Sequence, residues 1–395
     1  MPRDLLDGSD EDDGSSLAPI MKNLHRFAAT AALALLFAAP AHWGATAHGE
    51  NWDAVARLLA GMPGPGFESV RTQKAWAEHA AELDKAWSRF HAERMARIRV
   101  WSAAEMTDLH SRCDTVFYPF SGPDIAHAAT FFPKAGSYVL CALEPVHPLP
   151  ELGALSAAEW AVALAAMRAP MLTAINYTYF ITKDMRRDFE RSALKGTLPP
   201  LLAFAARLGM MVDSVEAVAL AENGSAMIAA GTSPRAVRLR VRRGHGNANI
   251  YYLSADLGNS GLGKDLRLPR FLASLGTRVT FMKSASYLMH EASFSGVRTL
   301  VLDGSAAILQ DDSGIPLSGF DPGWWDLRFY GNYQGTLDMF RQYYQPRLRE
   351  VFEYRGERVR PLDFGVGYKF QPDNTVLILA RRRGGDAPPK AQRVP

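Results

Sequence analysis

From Trp76 onward the apolar residues Trp76, Ala80, Leu83, Trp87, Phe90 and Ile98 recur at helical steps, with Glu, Lys and Arg between them. That period predicts an amphipathic helix. The breaker cluster Gly61, Pro63, Gly64, Pro65 and Gly66 separates it from a short helix upstream. Further along, an apolar run at 115–120, a Ser121-Gly122-Pro123-Asp124 turn, a helical stretch at 125–132 and a second apolar run at 137–143 read as strand, helix, strand. The short crossover implies that the two strands are parallel. Residues 157–220 read as helices, broken at Pro170 and over 196–200. Val237, Arg238, Leu239, Arg240 and Val241 alternate at period two, which predicts a strand with one charged face at a sheet edge or over it. Strands at 250–253, 278–282 and 306–309, with a helix at 286–302, resume the α/β alternation. Residues 364–370 and 375–379 flank Gln371-Pro372-Asp373-Asn374 and predict an antiparallel hairpin.

The amino-terminal pattern differs. Met21, Lys22, His25 and Arg26 lead into an apolar run over 27–39 and then Ala45-Thr46-Ala47. A basic start, a short apolar segment and a small-x-small site predict a secretory signal peptide over 21–47. The run is short for a membrane span, which needs about 20 apolar residues. Asp10, Glu11, Asp12 and Asp13 form an acidic block that fits no signal peptide. Residues 1–20 are therefore read as a leader from an upstream start, the alternative being an acidic leader followed by an anchor. This divides the chain into a leader (1–20), a signal peptide (21–47), a helical extension (48–104), an α/β domain (105–383) and a disordered tail (384–395). Export to the periplasm, or outright secretion, follows, with no stable membrane span after cleavage. Outside the cytoplasm ATP, NAD and S-adenosylmethionine are poor partners, so the cofactor stays open. With 48% hydrophobic residues and a net charge of +3, the composition fits a globule and does not indicate nucleic-acid binding. The two cysteines, Cys113 and Cys141, have sequence offsets that set them too far apart along adjacent parallel strands for a disulfide.

Candidate chemistry gathers at predicted strand ends, where open α/β sheets bind ligands. Tyr118, Ser121, Gly122 and Asp124 surround the first strand-to-helix turn, and Glu144 closes the second strand. An acidic residue about 20 positions after such a turn is the ribose-binding signature of nucleotide folds, but the glycine fingerprint is absent. The bland reading makes Ser121 and Asp124 the N-cap and N3 residues of a capping box, with Pro123 early in the helix. Asp311 and Asp312 follow a later strand, and Asp256 follows another; carboxylates there suit acid–base chemistry or a hard cation, or simply turn formation. Glu144 and Asp311 are the candidate acid–base pair. His127 and His147, with Asp256 and Asp311, would form a metal or proton-transfer cluster only if the fold brings them together. His290 lacks a second histidine four residues on, so no zinc-protease motif is present. Trp324 and Tyr330 belong to an aromatic stretch over 320–344, suited to a sugar or peptide ligand if exposed and to core packing if buried.

The Phe117-to-Asp124 segment, Ala142-Leu143-Glu144-Pro145-Val146 and Gln310-Asp311-Asp312-Ser313-Gly314-Ile315-Pro316 together resemble an uncharacterised family of exported bacterial proteins, over roughly 101–380. That resemblance implies no particular activity. The layout is also similar to Rossmann-type methyltransferases, including a terminal hairpin, and implies a Rossmann-like, largely parallel sheet with helices on both faces. Three readings follow: an envelope-acting enzyme such as a hydrolase, a non-catalytic binding protein for a cell-envelope glycan or peptide, and a degenerate methyltransferase-like fold. The oligomeric state is not legible in the sequence.

Overall fold

The computed structural model describes residues 51–178, 192–229, 235–244, 246–285, 287–354 and 359–384. The expected leader and signal peptide, and nearly all of the tail, lie outside the described residues. The chain is a mixed α/β protein with one 11-stranded mixed sheet in the order β10-β9-β11-β8-β7-β1-β2-β6-β5-β3-β4. The strands are β1 (Thr115–Pro119), β2 (Ser137–Ala142), β3 (Met211–Leu220), β4 (Ala226–Ile228), β5 (Ala236–Arg243), β6 (Gly246–Ser254), β7 (Arg278–Met282), β8 (Ser305–Gln310), β9 (Trp325–Gly331), β10 (Val359–Arg360) and β11 (Val376–Arg382).

Five central strands, β6, β2, β1, β7 and β8, are mutually parallel. Antiparallel strands flank them on both sides. From β1 the chain moves outward through β2 to β6 and then returns to the other side of β1 as β7. The order therefore reverses between β1 and β7, and a crevice at the carboxyl ends of those strands is where such sheets hold ligands.

The alternating pleat sends Val116 and Tyr118 into one buried cluster and Phe117 into another on the opposite face. The first cluster holds the helical extension: α1 (Trp52–Leu59), α2 (Lys74–Phe90) and α3 (Ala96–Glu105) share it with α4 (Ile125–Phe131), α5 (Ala157–Tyr177) and α6 (Leu198–Arg207). The second holds α7 (Arg267–Ser274) and α8 (Ser295–Gly304), through Phe271, Leu272, Val297 and Val301. A helix α9 (Pro346–Tyr354) packs through Leu348 and Val351 near β9.

Between α2 and α3 lies a π-helical turn, His91–Met95. Phe90, Met95 and Ile98 are all buried in one core. In an α-helix a five-residue step turns the second side chain well away from the first. The wider π turn brings Met95 back to the face of Phe90. Helix α5 is started by a capping box in which Ser156 and Glu159 bond each other's backbone. It runs unbroken through Pro170, where a break was predicted.

The structure corrects four further expectations. Residues 211–220 are strand β3, not helix: β-branched Val212, Val215 and Val218 are buried, while Asp213 and Glu216 meet the arginines of β5. In consequence β5 is not an edge strand, since β3 and β4 cover it and its charged face is a ladder of Arg238, Arg240 and Arg242 against Glu216 and Asp213. Residues 364–370 form no strand, and β11 pairs instead with β9 and β8. A Cβ on Gly365 would sit 1.4 Å from the Phe370 carbonyl oxygen, so this segment closes on itself rather than extending. The helix expected at 286–302 begins only at Ser295, because Tyr287 has φ 59° and Glu291 is extended. Pro119 pairs with Cys141, which places Cys113 six residues, about 20 Å, along the strand direction from it. Both cysteines are buried thiols.

Candidate functional site

The turn after β1 builds the centre of the site. Asp124, not Ser121, is the N-cap of α4, and its side chain accepts from the His127 backbone N–H at 3.2 Å. Ser121 is buried and donates to the Gly122 carbonyl at 2.8 Å. Gly122 has φ +54°, a left-handed conformation that glycine enters without a Cβ clash. The helix range matches the prediction to within a residue; the cap does not, because it falls on Asp124, three residues after Ser121.

Three more donors converge on Asp124. His127 Nδ1 lies 2.9 Å from Oδ1, Lys283 Nζ lies 2.7 Å from Oδ2, and the Tyr118 hydroxyl donates at 3.2 Å. Asp124, His127, Lys283 and Tyr118 are all buried. Burial raises the Asp124 carboxyl, but the charges and hydrogen bonds of His127 and Lys283 outweigh it and hold the group well below the usual carboxylate range. Burial pushes the His127 imidazole down to about 4 despite the pull of Asp124, and Lys283 adds to the fall. His127 is therefore neutral at pH 7. An ionised Asp124 only accepts, so Nδ1 carries the proton, and Nε2 has no hydrogen-bond partner among the described residues. Lys283 also donates to the carbonyl of Thr178, the left-handed C-cap of α5, where a cation is favoured.

A second group of carboxylates adjoins the first. Asp311, directly after β8, accepts from Ser284 N–H at 2.8 Å and from the Ser313 hydroxyl at 2.6 Å. Burial raises its carboxyl against these donors and Lys283. Asp312 accepts from Tyr287 at 2.7 Å. Burial first, and the neighbouring Asp311 second, push Asp312 up to about 7. Tyr287 stacks on Tyr343 with centroids 5.2 Å apart, and His290 packs edge-on against both rings. Phe120, Thr178, Ser284 and Tyr287, four of the five non-glycine residues with positive φ among the described residues, ring these two clusters. Backbone strain of about 1–3 kcal/mol per residue persists only where surrounding structure fixes it, and it concentrates at functional sites.

The other expected site residues do not join them. Glu144 is buried after β2 and held by the Tyr252 hydroxyl, which donates to its carbonyl at 3.0 Å and lies 3.4 Å from its carboxylate. Strands β1 and β7 lie between β2 and β8, so the strands that Glu144 and Asp311 follow are about 14 Å apart across the sheet. Two carboxylates flanking one glycosidic bond sit at most about 9.5 Å apart. Asp256 is exposed and accepts from Gly258 N–H at 2.9 Å and the Ser260 hydroxyl at 3.4 Å, which is turn chemistry. Trp324 is half exposed, but it precedes β9, which runs parallel to β8, so it lies at the opposite end of the sheet from Asp311. Tyr330 is buried, donates to Glu105 at 2.6 Å and packs edge-on against Trp101. Most of the aromatic stretch is core, as Phe320, Trp325, Phe329 and Tyr333 are also buried. His147 is partly exposed beside Gly196. Among the described residues no three His, Cys, Asp or Glu side chains are grouped to hold a metal ion. His127 and Lys283 are the members that sequence reasoning did not join to Asp124.

A cavity of about 250 Å³ opens behind this cluster, lined by Arg89, Arg94, Asn176, Tyr177, Phe370 and Gln371. Phe90, also in its wall, lies 5.1 Å from the His127 ring. No family model matches the sequence, and no curated protein matches it. No helix of the described residues is long and apolar enough to cross a membrane.

Proposed function

We propose that the protein is an exported, non-catalytic binding protein built on a Rossmann-type sheet of methyltransferase-like layout, whose nucleotide crevice is closed by its own side chains. One observation carries this reading: the Asp124 carboxylate occupies the N-terminus of α4 at the point where the strand order reverses, where Lys283 neutralises it and neutral His127 donates to it. Nucleotide folds seat phosphate or cofactor groups at that helix end. A buried carboxylate repels an anionic group, and the ion pair fills the space it would need. Glu144 stands where a ribose-binding acid would, but Tyr252 takes up its carboxylate. The strand order supports the layout, with five parallel strands around β1 and an antiparallel β11 inserted between β8 and β9. The separation of Glu144 from Asp311 weighs against a hydrolase using that pair.

The reading predicts that thermal unfolding of the chain from residue 48 onward is unmoved by S-adenosylmethionine, S-adenosylhomocysteine or NAD, since only a ligand that binds the folded state raises its stability. A rise of several degrees with any of the three would overturn it. Export is tested separately: residues 1–47 fused to a phosphatase that is active only outside the cytoplasm should give active enzyme, and an inactive fusion would refute the signal peptide.

A further inference from the structure

We propose that the cavity beside the π turn is the ligand site and that it takes a single acidic sugar ring, a hexuronate. The inference rests on the binding-protein reading and assigns that protein its ligand class. The cavity's floor is made by the π turn, which aims Arg94 at the end of α5; its guanidinium donates to the carbonyls of Ile175 at 3.0 Å and Asn176 at 2.8 Å and lies over the Phe370 ring at 5.5 Å. π turns within α-helices are rare and frequent at functional sites. Arg89, one turn earlier and exposed, reaches the Asn176 side chain. Among the described lining residues, two guanidinium groups against one carboxylate, Glu93, leave a net positive charge, which favours an anion.

The rest of the lining narrows the anion. Tyr177 and Phe370 meet edge to face with centroids 5.4 Å apart, giving an apolar wall for the C–H face of a ring. Asn176 and Gln371 offer carboxamides, each able to donate to and accept from hydroxyl groups. An arginine fork matches a carboxylate through two parallel hydrogen bonds. A volume of about 250 Å³ holds one sugar ring and is below the roughly 300–1,000 Å³ of sites for larger ligands. A nucleotide or a longer peptide would seat only one of its groups there. Phe90 connects this site to the buried Asp124 cluster through the His127 ring, which Asp124 holds in place, so that cluster braces its inner wall.

Calorimetric titration of D-glucuronate and D-glucose into the chain from residue 48 onward tests the assignment. Glucuronate is expected to bind at least about tenfold tighter than glucose, and Arg89→Met is expected to remove that preference. Phe370→Ala should weaken both sugars while leaving the preference. A glucuronate-terminated disaccharide distinguishes sources: tighter binding than the free acid marks a glycan end, weaker binding a free sugar, and either keeps the site. Equal affinity for the two monosaccharides, no binding of either at about 10 mM, or an unchanged preference in Arg89→Met would overturn the assignment. If S-adenosylhomocysteine also fails to bind, only the cavity assignment falls; if it binds, the closed-crevice reading falls on its own account.

Discussion

Asp124 accepts from four groups on β1, on α4 and just after β7, and that concentration makes it the residue on which the site depends. Removing one partner of a buried ion pair leaves an uncompensated charge, so Lys283→Met is expected to destabilise the fold by about 3–5 kcal/mol in urea unfolding. The double variant Asp124→Asn with Lys283→Met should cost less than the two singles added together; additivity would show that the pair is not coupled. Two neighbouring groups have opposite pH effects. His127 titrates near 4 when folded against 6.5 when unfolded, so its contribution is complete above pH 6.5 and is lost as pH falls toward 4, a loss of order 3 kcal/mol. Asp312 is raised, so its contribution is present below about pH 4 and is lost as pH rises through about 7. Accordingly His127→Gln should flatten the acid limb of the stability profile, and Asp312→Asn should stabilise the protein above pH 7 and not at pH 4. Identical profiles for the variants and the parent would contradict both assignments. The sequence exposed Asp124 and Asp311 as residues at strand ends, since turn composition is local. Lys283 was invisible as their partner because it follows a strand far along the chain, brought there only by the β1–β7 pairing.

The elements that carry the site combine regular and irregular backbone. Helix α2 was legible from apolar spacing, α4 from the Ser-Gly-Pro-Asp turn before it, and α5 as helix but with a break at Pro170 that it does not have. Strand β3 was not, because Val212, Val215 and Val218 lie at three-residue steps, which also suits a helix; its identity comes from the arginines of β5 that it neutralises. The π turn leaves one local trace, the five-residue step from Phe90 to Met95. The segment over 364–370 has alternating apolar residues but is held by contacts that strands do not make. Gly367 has φ +84°, and a Cβ there would lie 2.1 Å from Asp311 Oδ2. Gly367→Ala should therefore destabilise the protein by more than about 2 kcal/mol, through both backbone conformation and displacement of a buried carboxylate. An effect below about 0.5 kcal/mol, typical of surface substitutions, would mean that the loop does not press on Asp311.

At the scale of the molecule, the α/β class was readable from alternating elements, but the order of strands was not. That order separates Glu144 from Asp311, puts Trp324 at the far end of the sheet, and joins Asp124 to Lys283 at the point of reversal. In the proposed reading the point of reversal is bridged by the Asp124–Lys283 ion pair, while a cavity lies behind it, between the helical extension and the end of α5. The central claim is that the reversal point binds no nucleotide. Isothermal titration of S-adenosylhomocysteine into the chain from residue 48 onward tests it most directly. The account predicts no saturable heat up to about 1 mM ligand, with the parent and Glu144→Gln indistinguishable. Saturable binding near about 10 μM that Glu144→Gln abolishes would contradict it, because the crevice would then be open and Glu144 a ribose ligand.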